Sequence, residues 1–398
     1  MKKCHPELGL VQICSTLILP ALLSVVLPIR AIAQAPSPAD AIALEQQGKL
    51  PEAAQAWRAV TANHPKDAAA FAALGVVLSK EQQYPDAAAA YRKALALNPK
   101  LRGVNLNLGL AEFKQGHFPA AAAALRIALA ADPSNNQARV LLGLSYYGAQ
   151  QFEEAIKALA PAAKSDPDNV ELHRVLAQSC LWARQYSCAR DEFQQILEKD
   201  PDSAPAHMLL GEAMDGLNRT PEAIAEFQAA AKVAPREPNL HFGLGYLFWK
   251  SHQFDDASRE FNAELALDPA HAQALAYLGD IAMQTNDPET ALTYLRKALD
   301  LKNDIRIAAV DLGVILAEQK HYPEAVAALQ RAAVIDPAEP DVHYRLGRIY
   351  KEMGKPEESQ KEFAKVRELK AKADQRTEDL ARKMSASPPA LYSPDPPN

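Results

Sequence analysis

A 34-residue period runs through the chain and constrains its fold more than any other feature. Counting Ala68 as position 1, proline recurs at position 32 as Pro65, Pro99, Pro133, Pro167, Pro201, Pro235, Pro269 and Pro337; Asn303 and Ala371 depart from the series. Position 8 reads Gly75, Gly109, Gly143, Ala177, Gly211, Gly245, Gly279, Gly313 and Gly347. Position 20 is alanine from Ala53 to Ala325 and then Ser359, while position 24 is always large, from Trp57 and Tyr91 through Phe193, Phe227 and Phe261 to Phe363. A register kept without insertion means copies of one unit that complete one another's interior, not separate globular cores.

Within one period, Ala68 to Lys100, two amphipathic helices are predicted. Phe71, Leu74, Gly75 and Leu78 share one face of the first, and Ala87, Tyr91 and Ala94 share one face of the second. Pro85 suits a helix start, where its missing N–H costs nothing, and Pro99 follows the end. A side chain larger than methyl at position 8 would hold the two helices apart, and the alanine at position 20 is expected to face that glycine. Strand-like runs of Val, Ile, Thr and aromatics are few, and the abundant alanine favours helix. The fold class expected is all-α, a solenoid of about ten helix-turn-helix units.

The pattern of a large residue, Leu-Gly, a further large residue, then Ala, aromatic, Ala and Pro resembles the tetratricopeptide repeat (TPR) family. The resemblance covers about residues 37–371 and implies a right-handed superhelix whose first helices line a concave groove. The first unit departs, with Asp40 and Ala41 in the Leu-Gly places, as a cap would. Pro161 falls inside a second helix, where a kink near Lys157 is expected. The last unit lacks its proline, so its second helix is expected to run on over 357–384 as a capping helix. The Pro/Ser-rich tail, 385–398, is expected to be disordered.

The N-terminus reads as a leader. Lys2 and Lys3 precede an apolar run from Leu8 to Ile29, and Ala31-Ile32-Ala33 supplies the small residues of a cleavage site after Ala33. The expected location is therefore periplasmic or secreted; the alternative is an uncleaved membrane anchor with the repeats still outside the cytoplasm. Neither Cys4 nor Cys14 is placed for a lipoprotein signal. The formal charge is −6, and losing Lys2, Lys3, Arg30 and Glu7 with the leader takes it to −8. No long basic stripe accompanies it, which argues against nucleic acid as a partner.

The residues that invite chemistry read more simply as structure. His173, His207, His241 and His343 share position 4, and imidazoles one helix-pair width apart, roughly 10 Å per interhelical step, do not converge on one metal ion. Gly243-Leu244-Gly245 lacks a third glycine and a preceding strand, so it is helix packing and not a phosphate loop. Asp255-Asp256 and Glu357-Glu358 are helix N-terminal charges. No nucleophile–base–acid set emerges; no enzymatic activity, cofactor or metal is expected. Cys180 and Cys188 flank one hairpin turn. They either form a disulfide in an oxidising compartment or remain a buried Cys180 and a half-exposed Cys188.

The resemblance places function in the groove, at positions 2, 5, 9, 12 and 13 of the first helices, with position 6 nearby. There the chain carries Leu106, Leu110 and Phe113, then Val140, Leu144 and Tyr147, then Arg174, Gln178, Leu181 and Trp182. Met208, Glu212 and Asp215 follow, then Phe242, Tyr246 and Trp249, then Tyr277, Asp280 and Met283. Tyr344, Arg345, Arg348 and Lys351 make the last unit basic. Phe113, Tyr147, Trp182 and Trp249 are expected to be exposed, with Arg174 giving polar selectivity. Some members clamp the carboxylate end of chaperone tails with Lys and Asn at positions 5 and 9, Asn at position 6 and a basic pair further on. Ala72 and Val76 replace the first two here, and Asn107, at position 6, alone matches, so that activity is not implied. The function expected is a scaffold for a partner protein or peptide segment in a cell-envelope assembly or export complex. The alternatives are a structural spacer working through its convex face or ends, and a carbohydrate-binding module.

Overall fold

A computed structural model describes residues 36–386. The expected leader at 1–33 and the tail from residue 387 onward lie outside the described residues. Those described form twenty α-helices and no strand. Contacts divide the chain into two compact units, Met1–Leu101 and Arg102–Asn398. Unit 1 holds α1 (Pro38–Gln46), α2 (Leu50–Asn63), α3 (Ala68–Lys80) and α4 (Tyr84–Leu97).

Unit 2 holds eight hairpins. They are α5 (Val104–Lys114) with α6 (Phe118–Ala131), α7 (Asn136–Gly148) with α8 (Phe152–Ser165), α9 (Val170–Trp182) with α10 (Tyr186–Lys199), and α11 (Ala204–Gly216) with α12 (Thr220–Val233). Then come α13 (Leu240–Lys250) with α14 (Phe254–Leu267), α15 (Ala272–Gln284) with α16 (Pro288–Leu301), α17 (Arg306–Glu318) with α18 (Tyr322–Ile335), and α19 (Pro340–Glu352) with α20 (Pro356–Ala386). Helix α8 continues through Pro161 to Ser165. Helix α20 includes Ser385 and Ala386.

Close approach at position 8 holds each hairpin together. A Cβ built on Gly75 would meet the Tyr91 ring at 2.5 Å, and one on Gly245 would meet Phe261 at 2.8 Å. Gly109, Gly143, Gly211, Gly279, Gly313 and Gly347 are covered the same way by Leu125, Leu159, Phe227, Leu295, Leu329 and Phe363. The side chain lying on the glycine is thus the large one at position 24. Position 20 faces the glycine as well, Ala223 O lying 3.2 Å from the Gly211 Cβ site and Ala325 O 3.3 Å from that of Gly313. That alanine is fully buried from Ala53 to Ala325. One helical turn separates positions 20 and 24, and the ring reaches back along its helix over the glycine.

Each first helix ends on a residue in the left-handed conformation at position 15. The series is Gly48, Gln82, Gly116, Gln150, Arg184, Asn218, His252, Asn286, Lys320 and Gly354, with φ between 57° and 75°. The next amide closes a 6→1 bond, Gln83 N to Leu78 O at 2.9 Å and Gln185 N to Cys180 O at 2.8 Å, which satisfies a carbonyl the helix leaves open. In seven of the ten repeats the residue is not glycine, so the turn is imposed by packing on both sides of it.

Successive repeats in unit 2 meet unequally. First helices touch first helices, as in α5 on α7, α11 on α13, α13 on α15 and α15 on α17. Each second helix touches the first helix that follows it, while second helices make no comparable contact with one another among the described residues. Repeats that approach more closely on one side form a wedge, and the first helices lie on its inner face.

Two substitutions test these constraints. Gly245→Ala should cost about 1–3 kcal/mol, since Phe261 must shift within a packed interior, read as a lower thermal midpoint. Lys320→Gly should gain about 1 kcal/mol by removing side-chain strain at positive φ, with a smaller gain for Asn286→Gly because asparagine tolerates that conformation.

Candidate functional site

The inner face of unit 2 is built by first helices, and its side chains divide according to their place on the helix. Position 12 turns toward the next repeat. Tyr147 donates its hydroxyl to Gln178 Oε1 at 2.9 Å, and Trp249 Nε1 donates to Asp280 Oδ2 at 2.6 Å. Phe113 packs on Phe118, with ring centroids 5.7 Å apart. All three are half-buried, which corrects the expectation that they stand exposed. Trp182 occupies position 13, one residue further round, and stays 61% exposed at the end of α9. It leans on Phe152, 6.4 Å away and nearly parallel.

The remaining predicted groove residues are distributed along this face. Leu106 packs with Phe113 on the core of α6 and α7, Leu144 and Met208 on the central core, and Met283 on the core of α15 to α19. Arg174 is exposed; its Nε donates to Glu171 at 2.8 Å and its Nη1 to Gln178 at 3.3 Å. Hydrogen bonding to Glu171 raises its pKa further. Leu110 is half-buried.

Phe242, Tyr246 and Trp249 form one aromatic cluster with Tyr277. The Tyr277 ring lies 4.8 Å from Trp249, 5.7 Å from Tyr246 and 5.9 Å from Phe242, and it stacks on Phe261 at 5.5 Å. Burial, assisted by Tyr246 and the Asp280 charge, pushes its phenol up to about 12. Glu264, 3% exposed on α14, accepts the backbone N–H groups of Asn239 at 3.2 Å and Phe242 at 3.0 Å. A buried carboxylate thus caps the first turn of α13 and fixes Phe242 in place.

A cleft of 430 Å³ opens where α11, α13 and α15 meet, and Met208, Glu212, Asp215, Phe242, Tyr246 and Gln273 line it. Asp215 is met by Lys250 Nζ at 2.7 Å, a bond that raises the lysine pKa. Glu212 is exposed at the cleft mouth, and the walls beside it raise its carboxyl pKa by partial desolvation. A second cleft, of 310 Å³, lies between α17, α18 and α19 and carries Arg345 and Arg348 together with Glu318 and Glu352.

Beneath the inner face lies an acid that the sequence reading did not single out. Asp311, 6% exposed, is pushed up to about 8 by burial first and by the neighbouring Asp280 charge second. Its Oδ2 has no hydrogen-bond partner. Asp280, whose charge and hydrogen bonding favour the protonated form of Asp311, also accepts the Trp249 indole. The available signal was an aspartate at position 6 of an otherwise apolar helix.

The histidines resolve as pairs within single repeats. The Nδ1 atoms of His173, His207, His241 and His343 lie 2.5, 2.7, 2.7 and 2.6 Å from Glu192, Glu226, Glu260 and Glu362. Each glutamate stands at position 23 of the second helix and ties it to the first. No grouping of three or more metal-ligating side chains occurs among the described residues. Cys180 and Cys188 are joined as a disulfide, with Cα atoms 5.7 Å apart, across the turn between α9 and α10.

Family models described as tetratricopeptide repeat match residues 39–101, 106–169 and 242–304, then 146–213 and 181–245, and finally 313–354 and 340–372. No curated protein matches the chain. Among solved structures, the APC/C hetero-tetramer Cut9-Hcn1 is 14% identical over 83% of this chain and 79% of its own, with a TM-score of 0.49. YrrB, described as a TPR protein with an unusual peptide-binding site, is 20% identical over 44% of this chain and 91% of its own, with a TM-score of 0.37. MamA from Desulfovibrio magneticus RS-1 is 19% identical over 42% of this chain and 95% of its own, with a TM-score of 0.39.

The raised Asp311 value carries a pH prediction. The folded protein holds this proton between the unfolded value near 3.8 and about 8, so its stability falls as pH rises through that window. Between pH 5 and pH 8 the urea midpoint of the wild type should drop more than that of Asp311→Asn. The difference between the two proteins should reach at most about 1.4 kcal/mol per pH unit.

Proposed function

The chain belongs to the tetratricopeptide repeat family, and from that premise we propose that it is a non-enzymatic scaffold holding a partner polypeptide against the inner face of unit 2. Trp182 carries the reading. A tryptophan that rests on Phe152 at the end of α9 and is still 61% exposed keeps most of its surface open to a partner. Open aromatic surface of this kind is where association gains most. The half-buried Tyr147, Phe242, Tyr246 and Trp249 continue the apolar lining from α7 to α13, and the cleft beside α11 interrupts it with charge. An extended or helical segment with spaced apolar anchors suits this lining.

The location follows from two features taken together. The N-terminal Lys2, Lys3, apolar run and Ala31-Ile32-Ala33 have the composition of a leader, and bonded Cys180 and Cys188 persist in oxidising compartments. The scaffold therefore works outside the cytoplasm, in a cell-envelope assembly or export complex.

Cross-linking the full chain in envelope extract tests the groove. Cross-links should fall on α9, α11 and α13, and Trp182→Ala should reduce capture about tenfold or more with the thermal midpoint unchanged. Capture that survives the substitution would refute the reading; cross-links confined to second helices would favour the spacer alternative.

A further inference from the structure

We propose that the cleft formed by α11, α13 and α15 is a subsite for one basic side chain, lysine or arginine, of the partner polypeptide. The inference rests on the groove reading and adds a chemical specificity to it.

The cleft contains two carboxylates on one helix face and one cation. Glu212 and Asp215 are three residues apart on α11 and therefore neighbours. Asp215 is already engaged by Lys250 at 2.7 Å. Glu212 lines the same cleft, is exposed, and has no hydrogen bond or ion pair among the described residues, so it is open to an incoming group. A carboxylate held this way is stabilised by an incoming positive charge and destabilised further by an apolar or acidic occupant.

The walls fit the rest of such a side chain. Met208, Phe242 and Tyr246 line the cleft with apolar surface that suits a methylene stem. Their positions are set before any partner arrives. Phe242 is held through its backbone by Glu264 at 3.0 Å and through its ring by His271 at 4.7 Å, while Tyr246 stacks on Trp249 at 5.8 Å. Such preorganisation reduces the ordering cost of binding. The other cleft, between α17 and α19, brings two arginines and two acids together and has no comparable excess of one sign.

A displayed library of random twelve-residue peptides, selected on the full chain, provides the test. The wild type should enrich Lys or Arg at one position relative to an apolar anchor. Glu212→Gln should lose that enrichment, and Glu154→Gln, on a second helix, should keep it. For a recovered peptide, Glu212→Gln should weaken binding about tenfold when the basic residue is present and less than about twofold when it is replaced by glutamine. Groove binders without a basic preference, or with one that Glu212→Gln leaves intact, would overturn the subsite and leave the groove reading standing. A selection that yields no binders, or only binders indifferent to Trp182→Ala, would overturn the groove reading and the subsite with it.

Discussion

The contact on which the structure depends is the large side chain of position 24 lying on the bare backbone of position 8. It sets the spacing of the two helices in a hairpin, and from that spacing follows where every other side chain of the repeat can reach. Repeat five shows what happens when the contact is altered. Ala177 replaces the glycine there, Phe193 remains 1% exposed, and the same hairpin carries the Cys180–Cys188 disulfide. A covalent tie between α9 and α10 thus stands in a repeat that lacks the position-8 glycine. The His173–Glu192 pair, with the histidine 5% exposed, links the same two helices at the other end.

Stacking these hairpins produces two unlike surfaces. Within unit 2, first helices meet along the inner face, and second helices make no comparable contact with one another among the described residues. Side chains on the inner face are thus shared between interior and surface. Position 12 is drawn into the joint with the next repeat, where Tyr147 and Trp249 find acceptors on Gln178 and Asp280. Position 13 escapes it. A rotation of about 100° per residue is the whole difference between a half-buried Trp249 and an exposed Trp182, and it decides which tryptophan is available to a partner.

Much of this was legible in the sequence because it is steric and periodic. Glycine at position 8, bulk at position 24 and proline at position 32 each follow from a single geometric requirement, so their spacing alone defines the repeat. The left-handed turn at position 15 was not legible. Gln82, Arg184, His252 and Lys320 share no chemistry, and the conformation is imposed by the helices on either side. The buried Asp311 and the capping Glu264 were hidden for a related reason. Both act across helices through contacts that no spacing within one helix announces, Asp311 with Asp280 and Glu264 with the backbone of α13.

A solenoid can tolerate such costs where a globular domain of similar size would not. Stability here is a sum over repeats and their joints, so a strained charge at one joint is felt by its neighbours and hardly beyond them. Asp311, kept neutral beneath α15 and α17, and Glu212, left without a counter-charge on α11, are both local liabilities of this kind. They differ in what could relieve them. Asp311 is buried where its surroundings favour the protonated acid, and its burial keeps it from a partner. Glu212 stands at the surface of an open cleft whose aromatic walls are fixed from behind, and a group from outside the chain can reach it.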